Sequence, residues 1–346
     1  MKVLVVNNMA PFVRGGAEEL ADHLARNLNA TPGVQAEVLR IPFRWDPAER
    51  LLEEMLLCQT LELVNTDRVV ALKFPAYLVP HPDKVLWLLH QYRQAYDLWE
   101  SGQSNIPDTP RGHAIRRAVR AADGACFAGA RALFTNSAVT RARLRRHNGV
   151  DAEVLMPPLN DPERFHDAGQ GDYIFAGGRV NAGKRQHLLV EAMRFVRSPV
   201  RLVVGGPPDG PADADRLRAL VRGHGLEERV ELELGFLPRD RLAARTNHAL
   251  ACAYLPTDED SVGYVTMEAF HAGKAVLTVT DSGGLLEIVR DGETGFVVPP
   301  DPEALAEAMD RLFLDRAAAA ALGAAGRALW LGKGIAWETT IERLLA

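Results

Sequence analysis

Short apolar runs alternate along almost the whole chain with longer stretches in which apolar residues recur every third or fourth position. Residues 2–7 form a Val-rich run of the kind that makes a strand buried on both faces. After a loop over 9–15, Leu20, Leu24 and Leu28 recur at helical spacing from Gly16 onward. Glu18 and Glu19 fall in the first turn, where carboxylates suit the positive end of the helix dipole. The same reading predicts strands at 34–41, 68–72, 84–89 and 132–135. It predicts helices at 46–64, 115–125 and 137–147, the last capped by Asn136 or Ser137, and a polar loop at 101–110.

The run Met156-Pro157-Pro158-Leu159-Asn160-Asp161-Pro162, followed by Gly169-Gln170-Gly171, interrupts this pattern and marks a domain boundary. A second series then begins. It has strands at 173–176, 200–204, 230–234, 249–254, 275–279 and 295–298, and helices at 184–196, 212–223, 239–246, 264–271 and 302–314. A final amphipathic helix covers 337–345. Two such series call for an α/β protein with two open, mostly parallel sheets, each covered by helices on both faces. The expected domains are 1–165 and 166–332, with 333–346 as a terminal helix. Ligands of such sheets bind beyond the carboxyl ends of the strands, here in a cleft between two facing domains.

The 346 residues fit two domains, and 47% apolar with 25% charged residues excludes long disorder. Cys58, Cys126 and Cys252 are far apart, which excludes a disulfide scaffold and a thiolate zinc site and fits a reducing cytoplasm. No apolar run is long enough to span a membrane, and the N-terminus turns polar too soon for a signal peptide. A net charge of −5 argues against a dedicated nucleic-acid binder. The charge is uneven, however. Residues 111–150 carry Arg111, Arg116, Arg117, Arg120, Arg131, Arg141, Arg143, Arg145 and Arg146 against Asp123 alone. The stretch is either a set of solvated helix faces or, through 111–147, a peripheral contact with an anionic membrane or another acidic surface.

Four places carry candidate chemistry. Gly15-Gly16 opens the first helix, where free N–H groups and the helix dipole suit an anion, or where the glycines make a plain turn. Gly177-Gly178-Arg179 ends a strand, and Lys184 opens the next predicted helix, a poor place for a cation unless a polyanion binds there. Asp258-Glu259-Asp260-Ser261-Val262-Gly263-Tyr264 crowds three acids before a helix that carries Glu268 among apolar neighbours. These acids suit sugar hydroxyls, or cap the helix. Asp281-Ser282-Gly283-Gly284 with Glu287 is another glycine-rich strand-end loop.

Taken together and in this order, these motifs resemble the retaining glycosyltransferases of family 4, over nearly the whole chain. The resemblance implies the GT-B fold of two Rossmann-like domains, with the helix around Trp337 crossing back to the N-terminal domain. It implies a nucleoside diphosphate sugar as donor, UDP- or GDP-linked, a hydroxyl acceptor, and neither cofactor nor metal. Arg179 and Lys184 match the pair that grips the diphosphate, and Glu268 the carboxylate on the ribose. Gly15 and Gly16 match the loop that approaches the phosphates, and Leu237, in Gly235-Phe236-Leu237-Pro238, the turn at the nucleobase. Ser261, Val262, Gly263 and Tyr264 fall in the donor loop. His90, in Leu89-His90-Gln91-Tyr92, is similar to a histidine that contacts the sugar, or is a satisfied strand-end residue. Asp260 stands where the family has a glutamate that touches the donor sugar. Either it takes that role, or Glu259 keeps it across a one-residue insertion. The acceptor would be chosen by 43–54 and 91–110, where Tyr92, Tyr96 and Trp99 either stack on it or pack into the core. A non-catalytic nucleotide-sugar-binding subunit is the alternative reading.

Overall fold

The computed structural model describes all 346 residues. They form two compact units, one of Met1–Pro158 with Ile335–Ala346, the other of Leu159–Gly334.

The first unit holds a six-stranded parallel sheet in the order β2-β1-β3-β4-β5-β6. Its strands are β1 (Lys2–Met9), β2 (Gln35–Pro42), β3 (Arg68–Lys73), β4 (Lys84–His90), β5 (Ala132–Thr135) and β6 (Glu153–Val154). Side chains alternate between two buried faces, as the period of a strand requires. Val3, Val5, Val70, Leu72, Val85 and Trp87 point to one core, and Val69, Ala71, Leu86 and Leu88 to the other. The first core is covered by α1 (Gly16–Ala30). The second is covered by α2 (Leu51–Gln59) and, beyond the short α3 (Asp97–Glu100), by α4 (Pro110–Ala128); α5 (Ala138–Asn148) follows β5. Ser137 caps α5, its Oγ accepting from the Thr140 N–H at 3.0 Å.

The second core contains a polar knot. Asp123 on α4 is fully buried, and the hydroxyls of Tyr77 and Tyr96 each donate to its carboxylate at 2.7 Å. Burial pushes this carboxyl up to about 7, against the pull of the two phenols. The contact pins the loop after β4, which carries Tyr96, onto α4.

The second unit repeats the plan. Its parallel sheet has the order β12-β11-β10-β7-β8-β9. The strands are β7 (Tyr173–Gly177), β8 (Arg201–Gly205), β9 (Val230–Glu233), β10 (Ala251–Ala253), β11 (Ala275–Val279) and β12 (Gly295–Val298). The helices are α6 (Gln186–Ala192), α7 (Pro211–Gly223), α8 (Arg239–Asn247), α9 (Tyr264–His271), α10 (Pro302–Leu314) and α11 (Arg316–Gly332).

Several elements differ from the sequence-based expectation, the two-residue β6 among them. The helix expected over 46–64 is a short 3-10 turn at Ala48–Arg50 followed by α2, which stops at Thr60, where the threonine hydroxyl bonds back to Leu56 and Leu57 carbonyls. The helix expected from Lys184 starts at Gln186, because Arg185 is left-handed (φ 53°) and breaks it. The alanine-rich α11 is absent from that expectation, although Ala319, Leu322, Gly323, Gly326 and Trp330 recur at helical spacing on its buried face. It lies so close to the turn before β11 that a Cβ on Gly323 would sit 2.0 Å from the Gly273 carbonyl oxygen.

The chain closes with α12 (Trp337–Leu345), which belongs to the first unit. Trp337 stacks on His23 of α1 and meets Trp87 of β4 edge-on, both at 6.5 Å between centroids, and Arg68 donates to the Leu344 carbonyl at 3.2 Å. No helix is long and apolar enough to cross a membrane. The Trp337→Ala variant should lose about 3–5 kcal/mol in the unfolding of the first unit, the usual cost of emptying a buried aromatic site. Urea unfolding, with the transition of the second unit unchanged, checks this.

Candidate functional site

In the second unit the strand-end loops carry the candidate residues, and glycines let them close on one another. Gly178, after β7, has φ +104°, and its N–H donates to the Gly205 carbonyl at 3.0 Å. A Cβ on Gly206 would sit 2.0 Å from the Gly178 oxygen, so the ends of β7 and β8 meet through bare backbone. The next residue, Arg179, donates from Nε to Asp209 Oδ1 at 2.7 Å, and Asn181 donates to the other oxygen of Asp209 at 3.0 Å.

Lys184 ends a 3-10 turn capped by the Asn181 side chain, which accepts its N–H at 2.9 Å. It is therefore not the opening residue of a helix, and the dipole conflict expected there does not arise. Its ammonium donates to the Tyr254 hydroxyl at 2.7 Å, forms an ion pair with the Glu259 carboxylate and lies 5.0 Å above the Tyr254 ring. The Tyr254 hydroxyl itself donates to Glu259 at 3.2 Å. Burial pulls the ammonium pKa down, but the Tyr254 and Glu259 oxygens more than offset this and hold it above its ordinary value. Lys184 is thus a secured cation at neutral pH.

The acid loop and the Gly283-Gly284 loop pack as one piece. Asp258 and Glu259 donate their N–H groups to Asp281 and Ser282 carbonyls at 2.8 and 3.1 Å, and Gly284 N–H returns to the Glu259 carbonyl at 2.8 Å. Gly283 has φ +76°, and a Cβ there would lie 2.4 Å from the Glu259 oxygen. Thr257 N–H reaches the Gly183 carbonyl at 2.8 Å. The Arg185 guanidinium spans Leu255 and Pro256 carbonyls and the Asp281 carboxylate at 2.7–2.9 Å. The three loops form one hydrogen-bonded assembly. The carboxylate paired with Lys184 is that of Glu259; Asp260 follows it on the same loop.

Gly263 opens α9 at φ +75°, where a Cβ would lie 2.5 Å from the Tyr254 ring, and Ser261 Oγ accepts the Gly263 N–H at 3.3 Å. Val262 is buried beside it and Tyr264 begins the helix. One turn on, Glu268 is buried and ion-paired with Arg239 of α8, which also donates to the Asn160 carbonyl at 2.7 Å and covers the Phe165 ring at 4.6 Å. Burial raises the Glu268 carboxyl and Arg239 draws it back. Leu237 follows β9, its Cδ1 2.8 Å from where a Cβ on Gly205 would stand. Sequence reasoning missed Asp209, Tyr254, Arg185 and Arg239. An arginine opening a helix after the Gly235–Pro238 turn was the available signal for the last; Asp209 and Arg185 pair across 30 and 96 residues, and Tyr254 meets Lys184 across 70.

In the first unit, Gly15 caps α1, and its N–H donates to the Glu18 carboxylate at 2.9 Å. The Gly15-Gly16 end thus already holds an internal acid, where an external anion was expected. His90 lies at the carboxyl end of β4, its Nδ1 2.6 Å from the Gln91 carbonyl, to which it donates. Tyr92 and Tyr96 are buried in the core, not offered to an acceptor, and Trp99 lies under Arg116 at 5.3 Å. The basic stretch is largely paired. Arg141 and Arg145 share Asp151, Arg146 reaches Glu100 at 2.8 Å, and Arg120 donates to the His147 carbonyl at 3.1 Å. The acids that neutralise it come mostly from outside the window in which the sequence count was made.

Residues 161–329 match the family model described as "Glycosyl transferases group 1". The chain is 34% identical over 240 residues to a D-inositol 3-phosphate glycosyltransferase of Actinosynnema mirum, covering 62% of this chain and 56% of that protein. It is 30% identical over 235 residues to a GDP-mannose-dependent alpha-(1-6)-phosphatidylinositol monomannoside mannosyltransferase of Mycobacterium tuberculosis, covering 60% and 59%. The chain spans 38% to 59% of the length of the first such relatives. Among solved structures, sucrose-phosphate synthase from Thermosynechococcus elongatus superposes with a TM-score of 0.77 at 20% identity, over 99% of this chain and 97% of that one. The fold is that of the GT-B glycosyltransferases.

The Arg239–Glu268 pair yields a test. Arg239→Ala leaves a buried carboxylate without its cation, a change that costs about 3–5 kcal/mol. A carboxyl whose folded pKa is raised gives its full stability below its unfolded value and loses it as pH rises through the folded value. The stability of the variant should therefore recover as pH is lowered from 7 towards 5, and Arg239→Ala/Glu268→Gln should remove that dependence. Urea midpoints at several pH values decide it; an Arg239→Ala midpoint equal to that of the parent at pH 7 refutes the role of the pair.

Proposed function

We propose that this chain is a retaining, metal-independent glycosyltransferase, which moves a sugar from a UDP- or GDP-linked donor to an acceptor hydroxyl. The observation that carries the reading is the secured Lys184 cation on the loop assembly of Arg179, Glu259 and Gly283, inside the segment that matches the glycosyltransferase model.

In this reading the bond from the sugar C1 to the diphosphate oxygen breaks while the acceptor oxygen bonds to C1 on the same face. The proton of the acceptor hydroxyl passes to the departing phosphate oxygen, and configuration is retained. What the chain supplies is position and charge. Arg179 and Lys184 each rest against a carboxylate, Asp209 and Glu259, and a diphosphate would draw them away as its own charge grows. The two cations supply the charge that a divalent ion would otherwise bring. Glu268 takes the ribose hydroxyls, the Leu237 backbone meets the base, and Gly15 and Gly16 approach the phosphates. Asp260 and the Ser261–Tyr264 backbone attend the donor sugar, and His90 is proposed to contact it. The two relatives are named for inositol-containing acceptors, which supports a polyol-type hydroxyl here. The cytoplasm is the proposed location. Docking on anionic lipid would fall to Arg111 and Arg117 of α4, which stand outside the ion pairs described; co-sedimentation with anionic but not neutral vesicles tests it.

Arg179→Ala and Lys184→Ala should each lower turnover by about 10²–10³-fold, the usual loss when one donor to a developing negative charge is removed. Asp260→Asn should impair transfer while leaving nucleotide affinity intact, and Glu259→Gln, which takes the charged partner from Lys184, should also destabilise the second unit. Release of nucleoside diphosphate, with water as surrogate acceptor, is the assay. Parent-like kcat in both cation variants refutes the assignment, and absence of any donor turnover by the parent favours the binding-subunit alternative.

A further inference from the structure

The loops that follow β1 and β2 enclose a hollow of about 500 Å³, within the range of small-molecule sites. Pro11 comes from the first loop, Pro42 from the end of β2, Phe43 and Trp45 from the second loop, and Glu54 from α2. Trp45 is 51% exposed, whereas Trp87, Trp330 and Trp337 are buried. An indole left in water on a loop calls for a reason, and this one is held in place. Its carbonyl accepts from Asn105 at 3.0 Å and from the Tyr92 hydroxyl at 3.4 Å. The preceding Phe43 is tied by its N–H to the Met9 carbonyl at 2.9 Å, and its ring packs edge-on against Phe74 and Tyr92 at 6.0 and 6.3 Å. The two segments expected to choose the acceptor, 43–54 and 91–110, are thus joined at the backbone of Trp45.

The chemistry of the lining narrows the occupant. Flat apolar faces of indole, phenyl and proline rings stand beside two carboxylates, Asp46 and Glu54, and one guanidinium, Arg44. A plain acyl chain would desolvate those charges without pairing them. A phosphate would meet two acids for one arginine. A neutral pyranose offers what both parts need: a C–H face for the rings, and hydroxyl edges for carboxylates and guanidinium. We propose that this hollow is a sugar subsite for the acceptor, remote from the reacting hydroxyl. The inference rests on the glycosyl-transfer reading. Remoteness follows from the sheet order: β2 and β4 are three strand intervals apart, ~14 Å at the usual spacing, so a ring held beside β2 is not the ring that reacts beside His90. The acceptor is then an extended glycan or glycoconjugate.

Saturation-transfer NMR with neutral gluco-, galacto- and manno-oligosaccharides of increasing length, without donor, tests this. Binding should strengthen with length, weaken about tenfold in Trp45→Ala and less in Glu54→Gln, and return in Trp45→Phe. Nucleotide binding and donor hydrolysis should stay at parent levels in all three. Equal sugar affinity in the parent and Trp45→Ala, no saturable binding across the panel, or a response to decanoate alone overturns the subsite. Sugar binding that depends on Trp45 in a protein that hydrolyses no donor would keep the subsite and overturn the transfer reading instead.

Discussion

The ion pair between Lys184 and Glu259, closed into a triangle by Tyr254, is the contact on which the organisation of the second unit depends. It joins the loop after β7 to the loop after β10, and the Glu259 backbone extends the link to the loop after β11. A lysine that is mostly withdrawn from water would tend to lose its proton; here the neighbouring oxygens keep it charged. The same acid that secures the cation also neutralises it, and Asp209 does the same for Arg179.

The architecture was legible because alternation of buried parallel strands with amphipathic helices leaves a strong period in the sequence. Eleven of the twelve strands are apolar enough to be recognised individually; β6, two residues long, is not. The failures share a physical cause. In α11 the buried face recurs at helical spacing, but three of its five residues are Ala319, Gly323 and Gly326, so close approach is achieved with little side chain and the period is carried by small residues. At Lys184 and Arg185 a single left-handed residue ends a turn that composition alone would extend into a helix.

For the candidate site, the chemistry-bearing residues stood in recognisable motifs, but their partners did not. Arg239, Tyr254 and Asp209 act through contacts 29, 70 and 30 residues away in sequence, and a charge that pairs only in three dimensions has no local mark. The same limit applies to the arginines of 111–150, whose acids lie mainly outside the window in which they were counted. In the first unit, Tyr92 and Tyr96 are aromatic residues at a suggestive position that turn inward to support a buried Asp123 and the Trp45 carbonyl. The exposed tryptophan is Trp45, set apart from Trp87 and Trp337 by burial, which composition does not disclose.

The most direct measurement of the central claim is proton NMR of the protein with UDP- and GDP-sugars, following the anomeric signals of the first-formed sugar product. The account predicts release of nucleoside diphosphate from at least one α-linked donor, with the α-anomer appearing first and the β-anomer only by later mutarotation. First appearance of the inverted anomer, or no turnover of any donor in the panel, would contradict it.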